Sequence, residues 1–527
     1  MESFDYIIVG GGAAGCLLAN RLSQNPGHTV LLLEAGGEDK NPFIHIPAAF
    51  NKLFRQKEDW DYETPPQEQM HGRAMFQPRG KVLGGCSSIN AMIYIRGHRE
   101  DYDHWAASGN PGWGYDDILP FFKKSEANLR LQDDYHGTEG EMTISDPQTP
   151  HLLSRVFLEA AQQAGYPANP DFNGANQDGF GFFQVNIRQG KRHSAASAFL
   201  HPIRQRPNLK VQTDAVVERI LIEDHQAKGV AFSCRGQSLQ AQAKREVLLC
   251  AGAFGSPQIL LLSGIGDGSQ LQAMGIPVVH HLPGVGQNLQ DHLLSGIAVT
   301  SPYPATLDRE GKFPRLLPNL LRFALARSGP LTSNVAECGG FVRSLPGLSA
   351  PDLQFHFAPA YFLRHGFDNP PGAGYSFGPT LICPESKGQV FLTSPDPRAK
   401  IGVDPRYFSN PADLETLYRG IQITAELFRQ RAFDPYRGPV FMPQCPLDDY
   451  ERVSEFLREH CETLYHPVGT CKMGSDPLAV VDADLRVHGI AGLRVADAAI
   501  MPRIVRGNTH APTLMIAEKA AALIHAL

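Results

Sequence analysis

The chain has 527 residues, enough for several domain-sized cores, with 42% hydrophobic and 19% charged residues, the balance of an ordinary globular protein. Its 48 Lys and Arg against 54 Asp and Glu give a formal net charge of −6, which excludes a general attraction for nucleic acid or anionic lipid and leaves only local basic patches. The nine cysteines are scattered and form no C-x-x-C pair, so they read as reduced thiols, not as a disulfide framework or a zinc site.

The acidic start Met1-Glu2-Ser3-Phe4-Asp5 does not read as a secretory leader, and no run approaches ~18 uninterrupted apolar residues. The expectation is a cytoplasmic protein without a spanning helix. Residues 4–9 then predict a short buried strand, and Gly10-Gly11-Gly12-Ala13-Ala14-Gly15 follows it at once as G-x-G-x-x-G. Residues 13–22 predict a helix, with Leu17, Leu18 and Leu22 available to cover a sheet; residues 29–33 predict a second strand, closed by Glu34 and Ala35. Gly10 permits the tight turn, Gly12 lets the backbone approach a pyrophosphate, and Gly15 lets helix and strand pack closely. Free N–H groups and the positive end of the helix dipole would meet the phosphates. Glu34 can accept from both ribose hydroxyls of an adenosine, which disfavours a 2′-phosphate. Strand, glycines, helix, strand and acid in register predict dinucleotide binding, with NAD and FAD both open at this point.

The next informative stretch is residues 78–97, rich in glycine and small hydroxyl residues and therefore in exposed backbone N–H groups. Alone it suits either a second phosphate or flavin contact or a surface loop. Further on, Glu246-Val247-Leu248-Leu249-Cys250-Ala251-Gly252 reads as a buried strand running into a glycine turn, and Leu493-Arg494-Val495-Ala496-Asp497-Ala498 as a strand ending in an acid.

From residue 80 to 103 the chain resembles the first characteristic segment of the glucose–methanol–choline (GMC) oxidoreductase family, with Cys86 where the family carries Gly, Ser or Thr. Residues 252–266 resemble the second segment without departure, and Pro283-Gly284-Val285-Gly286-Gln287-Asn288-Leu289-Gln290-Asp291-His292 is also similar. Near the C-terminus, Tyr465-His466-Pro467-Val468-Gly469-Thr470 and Arg506-Gly507-Asn508-Thr509-His510-Ala511-Pro512-Thr513 extend the likeness. It is nearest to bacterial FAD alcohol dehydrogenases of the choline-dehydrogenase-like branch.

The resemblance implies an α/β fold: a Rossmann-like FAD-binding domain assembled from residues 1–155, 191–300 and 461–527, and a substrate domain of antiparallel sheet and helices from residues 156–190 and 301–460. It implies that Val82, Gly84, Gly85, Asn90 and Ala91 lie near the flavin ring or pyrophosphate, with Ala13, Ala14, Ala35 and Ala251 in the same cofactor site. Asp497 and Ala498 match contacts to the pyrophosphate and ribityl chain, residues 509–513 the stretch beneath the pyrimidine end, and Val217 a backbone contact to adenine. Trp60 matches a position near the cofactor, an ordinary core aromatic being its alternative. Ile89 stands where some relatives carry a histidine bonded to the flavin, so the FAD is expected to be non-covalent.

Alcohol oxidation removes a hydroxyl proton and a hydride; the flavin takes the hydride, and the protein must supply a base near neutral pKa, for which imidazole at ~6.5 is suited. The resemblance assigns His466 as that base and His510 as the group that orients the alkoxide and stabilises its charge. His292 reads as structural.

Between residues 300 and 460, Asp352-Leu353-Gln354-Phe355-His356-Phe357 alternates as a half-exposed strand would, and residues 380–383 and 389–393 predict further strands of the same sheet. Residues 312–327 hold Lys312, Arg315, Arg322 and Arg327, no acid and many large apolar residues. The favoured reading is a helix packed on the substrate domain with its arginines solvated; the other is an interfacial helix or lid that touches a membrane beside the substrate entrance.

The expected function is FAD-dependent oxidation of a primary aliphatic or aromatic alcohol to an aldehyde, with a quinone or other carrier as electron acceptor. The alternatives are an oxidase that uses O₂, a choline dehydrogenase, which would need an aromatic cage and a carboxylate, and a non-redox hydroxynitrile lyase that keeps FAD. An NAD-dependent dehydrogenase shares the first forty residues but gives no reason for the segments at 80–103 and 252–266.

Overall fold

The computed structural model describes residues 1–368 and 370–526. One seven-stranded sheet is drawn from widely separated parts of the chain. Strand Glu2–Val9 lies at the centre, parallel to Val30–Leu33 on one side and to Gln237–Leu249 on the other. Leu209–Gln212 extends the sheet beyond Val30–Leu33, and Leu493–Val495 pairs in parallel with the end of Gln237–Leu249. The beginning of that long strand instead turns antiparallel, to Gln226–Cys234 and then Ala215–Glu223. Ile7, Ile8, Val30, Leu32, Val247, Leu248 and Leu249 are wholly buried, as strands covered on both faces must be.

Helix Ala13–Leu22 packs on this sheet and against the C-terminal helix His510–His525. Two glycines make the arrangement work. Gly10 has φ +106, a conformation other residues resist, and it turns the chain from strand to helix. A side chain at Gly15 would collide with the carbonyl oxygen of Gly10, so helix and turn meet backbone to backbone. Buried Arg21 then ties the helix to Glu518, itself fully buried, and to Glu141.

The second sheet is wholly antiparallel. Its order is Val440–Met442, Ile297–Thr300, Gly374–Leu381, Leu353–Ala358, Cys338–Val342 and Gly179–Phe182, with Leu293–Leu294 and Glu462–Thr463 attached at one end. Helices Leu152–Gln163 and Pro411–Phe428 cover it. Stacked rings of Phe157, Phe357, Tyr375, Phe377 and Phe433 fill the space between sheet and helices. The molecule is thus an α/β dinucleotide-binding unit of discontinuous segments with a second, antiparallel unit beside it.

Three expectations need correction. Strand Leu353–Ala358 alternates as expected but is buried along its whole length. Leu353, Phe355 and Phe357 enter the aromatic core; on the other face His356 lines the cavity described below, and Gln354, also buried, donates to Asn508 of the same lining. Strand Gly388–Phe391 belongs to a separate three-stranded sheet with Gln287–Leu289 and Gly402–Asp404, packed through Val390 and Leu289 on Ala253 and Phe254.

Finally, residues 312–327 are not packed down on the body. They carry helix Leu316–Ala326, in which Phe323 alone is buried, leaving Leu317 55%, Leu321 63% and Leu325 85% exposed. No residue of this stretch is among those lining the cavity. No helix among the described residues is long and apolar enough to cross a membrane, and all nine cysteines are free thiols.

Candidate active site

One continuous cavity runs from the end of the parallel sheet to the face of the antiparallel sheet. At its first end, the turn after Glu2–Val9 contributes Gly10, Gly12, Ala13 and Ala14, and the end of Val30–Leu33 contributes Glu34 and Ala35. Glu34 is buried, and its two oxygens accept from the N–H groups of Gly11 and Gly36 at 2.7 Å each. Burial raises its pKa to about 7 against those hydrogen bonds. A carboxylate with no ion-pair partner, each oxygen retaining acceptor capacity, suits a ribose diol.

Val217 and Ala251 line the same end, and Trp60 stacks on Tyr62 beside it under the Lys81 ammonium. Asp497 is buried and accepts from the Gly252 N–H at 2.8 Å, the Ser256 hydroxyl at 2.6 Å and the Ala499 N–H at 2.8 Å. It therefore pins together the two turns whose backbones, with Ala498, face the cavity. In the middle stand Gly85, Ile89, Asn90 and Ala91. Asn90 Oδ1 accepts from Arg192 Nη1 at 2.7 Å and from the Met92 N–H at 3.0 Å, which turns its amide NH₂ away from both.

Four residues expected in the lining stand behind it instead. Gly15 serves the helix contact already described. Val82 packs into a cluster with Ile44, Phe50 and Leu53. The Gly84 N–H donates to Gly11 O at 2.8 Å and so fastens the residue 78–97 loop onto the dinucleotide turn. Pro512 is buried in the first turn of His510–His525, while Thr509, His510 and Thr513 do reach the cavity.

At the far end the cavity meets His466 and His510. His466 follows strand Glu462–Thr463, and its backbone N–H donates to Asp291 Oδ1 at 2.8 Å. Its Nδ1 lies 3.0 Å from His292 Nδ1, and its Nε2 lies 3.2 Å from Asn508 Nδ2. His510 Nε2 is buried and has no hydrogen-bond partner among the described residues. Desolvation holds His466 well below the usual imidazole range and His510 at about 4. Both rings are therefore neutral at pH 7 and carry a lone pair able to take a proton.

Around them the wall is apolar: Phe50, Phe54, Ile297, Val335, Phe362 and Met442. No local pattern marks these residues, which come from loops and strands far apart in the chain. His356 was another omission; it lines the cavity, and its Nε2 is an unpartnered buried atom. The alternation of residues 352–357 held that signal, had its polar face been assigned to an interior site. Asn508 and His292 stood inside stretches singled out above without being read as part of the site. Glu462 is the one carboxylate of this end of the lining, and it is engaged by Arg73 at 3.1 Å and His365 at 2.8 Å.

A dinucleotide cradle opening onto two neutral imidazoles defines a nucleotide-cofactor oxidoreductase. The comparisons with known proteins give the family. GMC oxidoreductase models match residues 4–294 and 384–517. The alcohol dehydrogenase [acceptor] of Pseudomonas putida is 44% identical over 99% of this chain and 95% of its own length. The mitochondrial choline dehydrogenase of Mus musculus is 43% identical over 99% and 89%. Among solved structures, pyridoxine 4-oxidase from Mesorbium loti superposes with a TM-score of 0.92 at 33% identity, covering 99% of both chains, and a formate oxidase with 0.94 at 29%, covering 100% and 98%. The chain belongs to the GMC oxidoreductase family and is an FAD-dependent enzyme.

The residues present fit that cofactor. Gly12 has no atom nearer than 3.9 Å to where a side chain would begin, so the turn holds open space beside free backbone. Glu34 would hold the ribose, the Gly10–Ala14 turn and the Asp497–Ala498 turn the pyrophosphate, and Asn90, Ala91 and Thr513 the ring. Ile89 has no nucleophile with which to bond a flavin.

Proposed function

We propose that this protein oxidises an apolar primary alcohol, aliphatic or aromatic, to its aldehyde, and that its electrons leave to a quinone or another carrier instead of O₂. The observation that carries the reading is the pairing of two neutral, buried imidazoles with an aromatic and aliphatic wall. FAD, when bound, supplies the hydride acceptor. The chain's own groups do the remaining work: His466 Nε2 takes the hydroxyl proton, His510 Nε2 holds the oxygen, and the phenylalanines exclude water while seating the carbon chain. A neutral base needs no proton removed first, but the burial that keeps His466 neutral also weakens it as a base, so the charge its ring gains has to be stabilised by its neighbours. The relative named alcohol dehydrogenase [acceptor] supports the choice of carrier.

Choline is the second reading, favoured by the likeness to choline dehydrogenases. It would need a carboxylate for its ammonium group, and Glu462 is already paired with Arg73 and in contact with the His365 ring. A lyase reading shares the histidines but needs no acceptor. Turnover of 1-octanol, benzyl alcohol and choline with an artificial acceptor, under air and under argon, separates these. Equal rates under both gases with no peroxide support the carrier; turnover of choline alone overturns the apolar reading.

The exposed helix Leu316–Ala326 gives the proposal a location. Phe313, Leu317, Leu321 and Leu325 project beside Lys312, Arg322 and Arg327, a composition suited to peripheral contact with an anionic membrane surface. Sedimentation with vesicles containing anionic lipid is expected to carry the enzyme down, and Leu320→Ser with Leu321→Ser to abolish that. No binding, or equal binding by the variant, refutes the contact.

A further inference from the structure

We infer that His292 is a positioning residue for the base: it accepts a hydrogen bond from His466 and so holds His466 in the tautomer that leaves Nε2 bare. The inference rests on the reading of His466 as the base. His292 is fully buried, and its ring stands at 87° to that of His466 with the two Nδ1 atoms 3.0 Å apart. Two nitrogens so placed share one hydrogen; they cannot both donate or both accept.

The other end of His466 says which of them carries it. Gln354 Nε2 donates to Asn508 Oδ1 at 3.2 Å, which leaves the Asn508 NH₂ facing His466 Nε2 at 3.2 Å. His466 Nε2 is then the acceptor. A neutral imidazole has one N–H, so that of His466 lies on Nδ1 and points at His292 Nδ1. His292 carries its own hydrogen on Nε2, a buried atom without a close partner among the described residues, where the Ile382 backbone is the ring's other polar neighbour.

The backbone is built for this contact. Asp291 Oδ1 accepts from the N–H groups of both His292 and His466, at 2.9 and 2.8 Å. Asp291 Oδ2 accepts from the hydroxyls of Tyr407 and Thr463 at 2.5 Å each. One buried carboxylate thus fixes the two rings relative to each other. When an alcohol hydroxyl takes the place of the Asn508 NH₂ at His466 Nε2 and its proton is transferred there, the Nδ1–H of the resulting imidazolium still has its acceptor. Without His292 that N–H would lie buried and unpartnered, and the opposite tautomer, useless as a base, would compete.

The test compares His292→Leu, which keeps bulk and removes the acceptor, with His292→Asn, whose Oδ1 falls near the lost Nδ1. Both are first assayed for bound FAD by visible absorption. Anaerobic flavin reduction by a primary alcohol is then timed in H₂O and D₂O. The Leu variant is expected to slow by ~10–100-fold and to gain a solvent isotope effect, because proton removal becomes limiting; the Asn variant is expected to recover most of the rate. A wild-type rate and isotope effect in the Leu variant, or equal slowing by both substitutions, overturns the inference. Should neither variant hold FAD, ¹⁵N-histidine spectra of the wild-type holoenzyme decide: His466 is expected protonated at Nδ1 and bare at Nε2, and the reverse tautomer overturns the inference. His466→Ala separates the two levels. If it reduces flavin normally, the base reading itself fails; if it is slow while His292→Leu is not, only the present inference fails.

Discussion

The two walls of the cavity are built on opposite plans. The cofactor wall is backbone: Gly10, Gly12, Ala13, Ala14, Ala251 and Ala498 present amide groups and small side chains. The substrate wall is side chain: histidines, phenylalanines and Met442 from strands and loops that meet only in the folded molecule. Backbone recognition makes the first wall tolerant of what surrounds it but intolerant of any added atom. On the proposed function the second is the reverse: its apolar members can be exchanged while its two imidazoles cannot.

Breaking the substrate wall at His466 should have the largest effect. His466→Ala is expected to stay yellow while flavin reduction slows by ~10²–10⁴-fold in stopped-flow absorbance. A rate within a few fold of wild type would falsify the base assignment. The cofactor wall should break without any change in the histidines. Gly12→Ala adds only a Cβ, which no atom of the described residues approaches nearer than 3.9 Å, so it should fold yet crowd the phosphate cradle. Expected is a protein with lowered FAD occupancy and unaltered far-UV circular dichroism; full FAD occupancy would contradict the placement of the pyrophosphate.

Acid should act selectively on the substrate wall. Burial depresses His292 and His356 to about 3, His510 to about 4, and His466 well below the usual imidazole value. The unfolded chain binds these protons near pH 6.5 and the folded one does not. Stability from neutral burial is therefore complete above pH 6.5 and is lost as pH falls from there toward the folded values, by up to ~1.4 kcal/mol per pH unit for each histidine. The thermal midpoint is expected to fall steadily between pH 6.5 and 4.5, and a flat profile would mean these rings are charged or solvated. The mildest probe is the length of the alcohol. With ~0.8 kcal/mol for each buried methylene, kcat/KM should rise ~4-fold per carbon from ethanol to hexanol. Independence of chain length would show that the phenylalanine wall does not seat the substrate.

The same contrast explains what could be read from the chain beforehand. Strand, glycine turn, helix Ala13–Leu22 and Glu34 were legible because their signals lie within one stretch of sequence and obey one local geometry. His466 and His510 were legible through flanking motifs, not through any property of histidine. The apolar wall was not, since Phe50, Ile297, Phe362 and Met442 are neighbours only after the antiparallel sheet has formed. The strand Leu353–Ala358 shows the difficulty closely: its alternation is real, yet polar residues facing a buried site and polar residues facing water leave the same trace in sequence. For helix Leu316–Ala326 the error ran the other way, because a leucine-rich stretch predicts burial and composition does not say whether the protein itself provides it.

The central claim is that bound FAD faces His466 and His510 across a water-excluding pocket and takes reducing equivalents from an alcohol there. It is tested most directly by recording the visible spectrum of the purified protein without oxygen, before and after addition of 1-octanol or benzyl alcohol. The oxidised flavin bands should be present at the start and bleach on addition, with one aldehyde formed per flavin. A protein that is yellow but keeps its oxidised spectrum with every alcohol, or that is colourless and takes up no FAD, would contradict the account.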